Sequence, residues 1–319
     1  MAAPKSPRKG SLQYWPRKRI SKFLPSVNWS ALNSSKPLKG FICYKAGMMS
    51  AYVKDETPDS MTKGKKIIVP VTILECPSMK IFSVRLYKHG IVKTEVLGDN
   101  LDKELKRVLK LPKENKNEAI KELEKIKPEN YDELRIICYS QPKKAQIKKT
   151  PDLVEVGLSG SISEKLSFVK ERIGKEIYVS DFFEKGQLVD TRGLTKGKGL
   201  CGPVKRMGLS LKSHKSEKGV RRPGSLGPWH PRRVTFRVAQ AGQVGLFTRV
   251  IYNNKVLDVG KAGSRKELTN IKNYGNVNSD FVIVQGSVQG TAKRQLIITQ
   301  PLRVTKKQNK KSLELIEIR

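Results

Sequence analysis

The chain has 319 residues, 37% of them apolar, which suits one large domain or two ordinary ones with a packed core. Lys and Arg number 64 against 29 Asp and Glu, a formal net charge of +35. A compact enzyme of neutral substrates gains nothing from such self-repulsion, whereas a polyanion neutralises it, and nucleic acid is the usual one. An anionic membrane is the competing partner. Against it, the longest apolar runs, such as residues 67–74, are strand-sized, and no clean basic amphipathic helix appears. No membrane partner and no homo-oligomer are expected.

Residues 1–39 carry nine Lys and Arg and no acid; the first acid of the chain is Asp55. With prolines, serines and glycine between the charges, this stretch reads as an extended basic arm that buries no core of its own and orders only against a partner. It lacks the apolar centre of a secretory signal. Its acid-free composition is that of a transit peptide, but Pro4, Pro7, Pro16 and Pro25 would break the amphipathic helix such a peptide needs. Arg8 and Lys9, then Tyr14, Trp15, Arg17, Lys18 and Arg19, interleave cations with aromatics, a pattern that pairs phosphates and stacks on bases. Trp29 reads as an apolar anchor for the arm.

Strands are predicted at residues 40–44, 67–74 and 80–88. Residues 95–178 change character, with eighteen Lys and Arg against sixteen Asp and Glu. Leu101, Leu105, Val108 and Leu109 share one helical face, and Ile120, Leu123 and Ile126 share another that ends at Pro128. Ser161-Ile-Ser-Glu164 is a capping box, followed by the stripe Ile162, Leu166, Val169 and Ile173, with Gly174 as C-cap. This stretch reads as a small α/β unit with a solvated surface, on which paired carboxylates such as Asp132-Glu133 are ordinary surface charges.

Residues 191–249 are basic again, with fourteen Lys and Arg and one acid, Glu217. Here Gly197, Gly199 and Gly202 are spaced as G-x-G-x-x-G. A dinucleotide site would need a strand before them, a helix after them and an acid about 20 positions on. Instead Pro203 follows at once, and the distal position is Gly219-Val-Arg-Arg222. No P-loop register fits either. The alternative of a nucleotide-dependent or RNA-modifying enzyme rests on this spacing alone. The better reading is a glycine-rich loop whose backbone, at Gly193, Gly197, Gly199 and Gly202, comes close to RNA phosphates. Lys196, Lys198, Lys205, Arg206, Lys215, Arg221, Arg222, Arg232, Arg233, Arg237 and Arg249 would pair those phosphates. Trp229, between Pro228 and Pro231, has a poor core setting and a good stacking one. His214 and His230 lack a neighbouring carboxylate, so RNA-bonded imidazoles fit better than catalytic bases. A chromatin or DNA-binding reading lacks a helix-turn-helix or zinc module.

Further strands are predicted at 247–252 and 255–259, joined by Asn253-Asn254 as a tight hairpin turn, and at 280–286 and 295–299. The basic tail from Arg303 is expected to fray. Strands at both ends of the chain give a mixed β and α/β class: a Greek-key-like β-barrel with an inserted α/β subdomain, a long extended basic N-terminal arm and a central loop. The boundaries are 1–39 arm, 40–94 barrel, 95–178 insertion, 179–190 barrel, 191–246 central loop, 247–302 barrel and 303–319 tail. Cys43, Cys76, Cys138 and Cys201 are widely spaced, and with three histidines they form no zinc pattern, so reduced, partly buried intracellular thiols are expected.

Phe183-Glu-Lys-Gly-Gln-Leu-Val-Asp190, then Gly193, Thr195, Gly197-Lys-Gly199, Gly202 and Arg206, resembles the signature of the universal ribosomal protein L-three family of the large subunit, in its archaeal form. Gly10-Ser-Leu-Gln-Tyr-Trp-Pro-Arg-Lys-Arg19 resembles the family's N-terminal arm, and Gly40-Phe-Ile-Cys-Tyr-Lys-Ala-Gly-Met48 its first barrel strand. Gly160-Ser-Ile-Ser-Glu-Lys165 resembles its insertion helix. Gly227-Pro-Trp-His-Pro231 and Ala241-Gly-Gln243 resemble its central loop, and Gly286-Ser-Val-Gln-Gly290 with Lys293-Arg294 its final hairpin. One departure stands at Leu246-Phe-Thr-Arg249, where an aromatic followed by His-x-Arg is usual. The resemblance implies a structural protein of the large ribosomal subunit in the cytoplasm, bound to 23S-type rRNA and to neighbouring subunit proteins. It implies a role in early assembly and around the peptidyl transferase centre, with Trp229 at the loop tip and Gln243, Lys293 and Arg294 among the RNA contacts. It implies no catalytic residue and no cofactor, any structural Mg2+ being held by the rRNA.

Overall fold

The computed structural model describes residues 11–112 and 119–319. The chain is mostly β-sheet with few helices. In order, its strands are β1 (Gly40–Asp55), β2 (Lys66–Glu75), β3 (Met79–Lys88), β4 (Ile91–Leu97), β5 (Glu133–Ser140), β6 (Leu153–Gly157), β7 (Leu188–Leu194), β8 (Leu200–Cys201), β9 (Gly242–Gln243), β10 (Thr248–Gly260), β11 (Phe281–Gln285), β12 (Gln295–Thr299) and β13 (Leu313–Ile318). Its α-helices are α1 (Ala119–Glu124), α2 (Ile162–Arg172), α3 (Pro203–Met207) and α4 (Lys306–Asn309). Two compact units result. The larger comprises Leu24–Gly193 and Val250–Arg319; the smaller comprises Met1–Phe23 and Leu194–Arg249.

In the larger unit seven strands pair in the order β12-β7-β10-β11-β2-β1-β13, and β1 also pairs with β12. Six of the seven therefore close into a ring of pairings, which leaves those strands no open edge there. The length of β1 makes this work. Its residues 40–44 pair with β12 and its residues 51–55 with β13, while its other edge pairs with β2. The strands are apolar on both faces because both faces are covered. Along β11, Val282 and Val284 enter one buried cluster, and Phe281 and Ile283 enter the other. The period of two along a strand sends alternate side chains to opposite faces.

Glu75, at the end of β2, is fully buried. Its carboxylate accepts from the Tyr274 hydroxyl, from the N–H groups of Asn278 and Ser279 (2.8 Å each) and from the Ser279 hydroxyl (2.9 Å), so it fastens the loop before β11. Burial pushes its pKa up, and these four donors only partly oppose the shift.

A second antiparallel sheet, in the order β4-β3-β5-β6, draws β5 and β6 from the inserted stretch but β3 and most of β4 from residues expected in the barrel, because β3 pairs with β5 and not with the larger sheet. The capping box at Ser161 is present. Its hydroxyl accepts from the Glu164 N–H (3.4 Å), and its own N–H donates to the Glu164 carboxylate (3.1 Å). Leu166, Val169 and Ile173 are buried, and Gly174 has φ +75°. The stripe from Leu101 makes only a 3-10 turn, Lys103–Arg107, with Leu105 buried and Val108 and Leu109 exposed. All four cysteines are buried and free.

Three further expectations are corrected. Asn253-Asn254 is no hairpin turn, because β10 runs through it as one strand. Asn253 alone takes a positive φ of +57°, and its N–H donates to the buried Asp190 carboxylate at 2.8 Å. One left-handed residue bends a strand, whereas a type I′ reversal needs two. The tail does not fray: Leu313-Glu-Leu-Ile-Glu-Ile318 pairs with β1 as β13. Residues 24–39 have little regular structure, yet Leu32 and Leu38, beside the expected anchor Trp29, are buried in the core of the larger unit.

Candidate nucleic-acid interface

The two basic stretches, far apart in sequence, meet in the smaller unit. The Ile20 N–H donates to the Leu246 carbonyl at 3.3 Å. Short pieces of regular structure set the rest. Leu200 pairs with Gln243 and Cys201 with Gly242, joining β8 to β9. Next comes α3, begun by Pro203, whose fixed φ suits a helix start, and ended at Gly208 with φ +68°.

That helix places Arg206 as a fork. Its Nε donates to the Gln243 carbonyl (3.3 Å), one terminal nitrogen to Gln240 (3.2 Å) and the other to Arg17 (3.4 Å). Gly242 makes room for it, since a Cβ there would lie 2.7 Å from the guanidinium carbon. Arg206 also lies 5.6 Å from the Trp15 ring centroid, and Arg17 lies 4.9 Å from the same ring. Phe236 is a further ring neighbour of Trp15 at 6.0 Å. Arg249 sits 4.8 Å from the Tyr14 ring and 5.4 Å from Phe247. Gln243 turns its amide inward, to the carbonyls of Val244 and Gly245.

Tyr14, Trp15, Arg17, Arg206, Gln243 and Arg249 are thus brought together, and they spend much of their bonding on one another. Lys18, Arg19, Lys196, Lys198, Lys205, His214, Lys215, Arg221, Arg222, His230, Arg232, Arg233 and Arg237 are exposed. Trp229 is 76% exposed, with the Arg232 guanidinium 5.4 Å from its ring. Lys293 and Arg294 belong to the larger unit, where they meet β1: the Lys293 N–H donates to the Lys45 carbonyl at 2.8 Å. Burial lowers the Arg294 guanidinium pKa. Arg8 and Lys9 lie outside the described residues.

The four glycines differ. Gly193 is buried, and a Cβ there would meet Leu296 and Gln289. At Gly197 a Cβ would crowd Leu246 at 3.1 Å. Gly199 has φ +63°. Gly202 has an ordinary φ of −67° and open space where a Cβ would go. The dinucleotide context is not built: β7 does precede the glycines, but a two-residue strand interrupts them and the helix after Gly202 has only five residues.

Sequence reasoning missed Phe236 and Phe247, which complete the aromatic–cation contacts. Their signal was the same interleaving with arginine that marked Trp15. It missed too that Arg206 is a clamp, because its three acceptors lie up to 189 positions away.

Residues 11–23 and 194–249 hold seventeen Lys and Arg and a single acid, Glu217. The ion pairs of the larger unit, such as Lys185 and Arg265 on Asp258, have no counterpart in acid supply here. Among the described residues no helix is long and apolar enough to cross a membrane. Concentrated cations with a single acid among them, beside exposed rings, give the smaller unit the chemistry that suits a polyanion. The chain belongs to the ribosomal protein L3 family, whose model matches residues 1–319. It is 38% identical to large ribosomal subunit protein uL3 of Methanocaldococcus jannaschii over 309 residues, 93% of this chain and 91% of that protein. It is 40% identical to uL3 of Methanobrevibacter smithii over 314 residues, 94% of this chain and 93% of that one.

Proposed function

We propose that this chain is a structural constituent of the large ribosomal subunit, working in translation in the cytoplasm and binding 23S-type rRNA through its smaller unit. Family membership along the whole chain carries this reading. The relatives named uL3 extend over nine-tenths of it. A structural family brings no catalytic residue, and the reading asks for none.

In this reading the ring of six strands is a Greek-key-like β-barrel with the α/β subdomain inserted in it. The stretches before Phe23 and after Leu194 are the arm and central loop that enter the RNA. The exposed Lys and Arg pair phosphates, while Trp229 stacks on a base at the loop tip, near the peptidyl transferase centre. Gly202 gives the backbone its close approach to a phosphate, which would explain a glycine with no intramolecular need for one. Neighbouring subunit proteins are the other partners, and any Mg2+ belongs to the rRNA. Supporting early assembly and tRNA accommodation follows from that position.

The test is sedimentation from a cell extract in high salt, with and without ribonuclease. Co-sedimentation with the large subunit through the salt wash, and release by ribonuclease, are expected. A chain that runs free, or leaves at moderate salt, overturns the reading.

A further inference from the structure

The inserted subdomain has nearly balanced charge by composition, yet the fold segregates it. Beside the end of β5 lies a cavity of about 350 Å³, lined in part by Tyr139, Pro142 and Pro151. A groove of about 770 Å³ adjoins it, and Glu104, Lys143 and Lys149 line both. Six basic side chains line the pair: Lys103, Arg107, Lys143, Lys144, Lys148 and Lys149. Only Asp102 and Glu104 oppose them there.

Three of the six are engaged: Lys143 with Glu104 (2.5 Å), Lys144 with Glu176, and Lys148 with Asp152 (2.6 Å). Lys103, Arg107 and Lys149 are exposed and have no acidic partner among the described residues. The groove therefore presents a local surplus of positive charge.

The cavity offers different chemistry. Its wall is apolar where Tyr139 and the two prolines stand. Asp102 accepts from Lys80 (3.0 Å), the Tyr139 hydroxyl (3.0 Å) and the Gln141 amide (2.8 Å). Burial pushes this carboxyl up, but those three donors outweigh it and hold it below the usual range, so it stays an anion. An ionised carboxylate has about four acceptor sites, which leaves roughly one for an incoming N–H. The volume lies in the range of small-molecule pockets, roughly 300–1,000 Å³. An apolar wall, one acceptor and cations at the mouth suit a nucleobase with its phosphate, and unpaired RNA bases are read in this way. Because the cationic groove continues past the cavity, the better ligand is a strand and not a free nucleotide.

We propose that the inserted subdomain binds an unstacked nucleotide of an RNA strand, with the base in the Asp102–Tyr139 cavity and the backbone along Lys103, Arg107 and Lys149. This rests on the ribosomal reading for the identity of the RNA. The site lies in the larger unit, whereas Trp15 and Trp229 belong to the smaller.

The test is ultraviolet crosslinking of native large subunits, then ribonuclease and protease digestion and mass spectrometry of nucleotide-bearing peptides. Subunits carrying Lys103→Gln with Lys149→Gln are treated in parallel. An adduct within residues 139–149 is expected, falling about five-fold in the variant, as loss of two solvent-exposed charge contacts would give. Adducts on the Trp15 and Trp229 peptides should stay unchanged. Adducts on those two peptides with none at 139–149 overturn the proposal and leave the ribosomal reading standing. A chain absent from the subunits overturns both. Loss of the 139–149 adduct when excess AMP competes with a single-stranded RNA on the purified chain would make the ligand a mononucleotide and overturn the strand.

Discussion

Arg206→Lys separates charge from geometry in the smaller unit. Arginine and lysine carry the same charge, but only the guanidinium can reach three carbonyls at once. Lysine keeps at most one of the bonds to Gln243, Gln240 and Arg17. Hydrogen bonds to charged groups contribute about 1.5–3 kcal/mol each. Arg206 is half-buried, so the low end applies, and losing two bonds while keeping the third costs about 2–3 kcal/mol. That raises the opening frequency of the segment before Phe23 about 30- to 150-fold. The Ile20 amide, bonded to the Leu246 carbonyl, reports this opening by native-state hydrogen exchange in the free chain. The salt slope of RNA binding should not move, since it counts charges. Ile20 protection that is unchanged in the variant, or absent in the unsubstituted chain, would refute the clamp.

Gly202→Ala should leave the unfolding free energy in urea within about 0.5 kcal/mol of the parent, as an exposed change does, yet lower incorporation into subunits; unchanged incorporation would remove the close-approach role. Trp229→Ala should leave both stability and incorporation intact, because the ring is exposed, while altering translation at the loop tip; loss of incorporation counts against that placement. Glu75→Gln tests the buried carboxyl. A folded pKa raised by burial means the folded state holds the proton more tightly, so this group's stability contribution is present at low pH and lost as pH rises through that raised value. The glutamine variant should gain on the parent as pH rises above the ordinary glutamate pKa of about 4.3, and a pH-independent difference in urea unfolding would contradict the account.

The helix α2 was legible because every signal for it is local: cap, stripe and C-terminal glycine fall within fourteen residues. The family signature was legible for the same reason. Asn253-Asn254 misled because a left-handed asparagine also fits within a continuous strand, and the Asp190 carboxylate that takes its N–H lies 63 positions away. The last strand carried its period of two in Leu313-Glu-Leu-Ile-Glu-Ile318, but the lysines before it dominated the charge count. Charge counting located the smaller unit and hid the groove on the insertion, since a balanced total says nothing of where each sign lies. It could not tell which arginines face outward, because Arg206 and Arg249 are oriented by residues from the other end of the chain.

The double duty of β1 has a consequence for synthesis. Its partner β2 follows within the next thirty or so residues, so that hairpin can form early. Its other neighbours, β12 and β13, begin more than 230 residues after it ends. At roughly 5–20 residues per second, β1 waits some tens of seconds with one edge bare. During that interval a highly charged, half-assembled sheet is exposed to every polyanion and every other nascent strand around it. A chain cut short before residue 295 lacks β12 and leaves the ring open, so the first strand of the sheet depends for its closure on residues some 240 positions away.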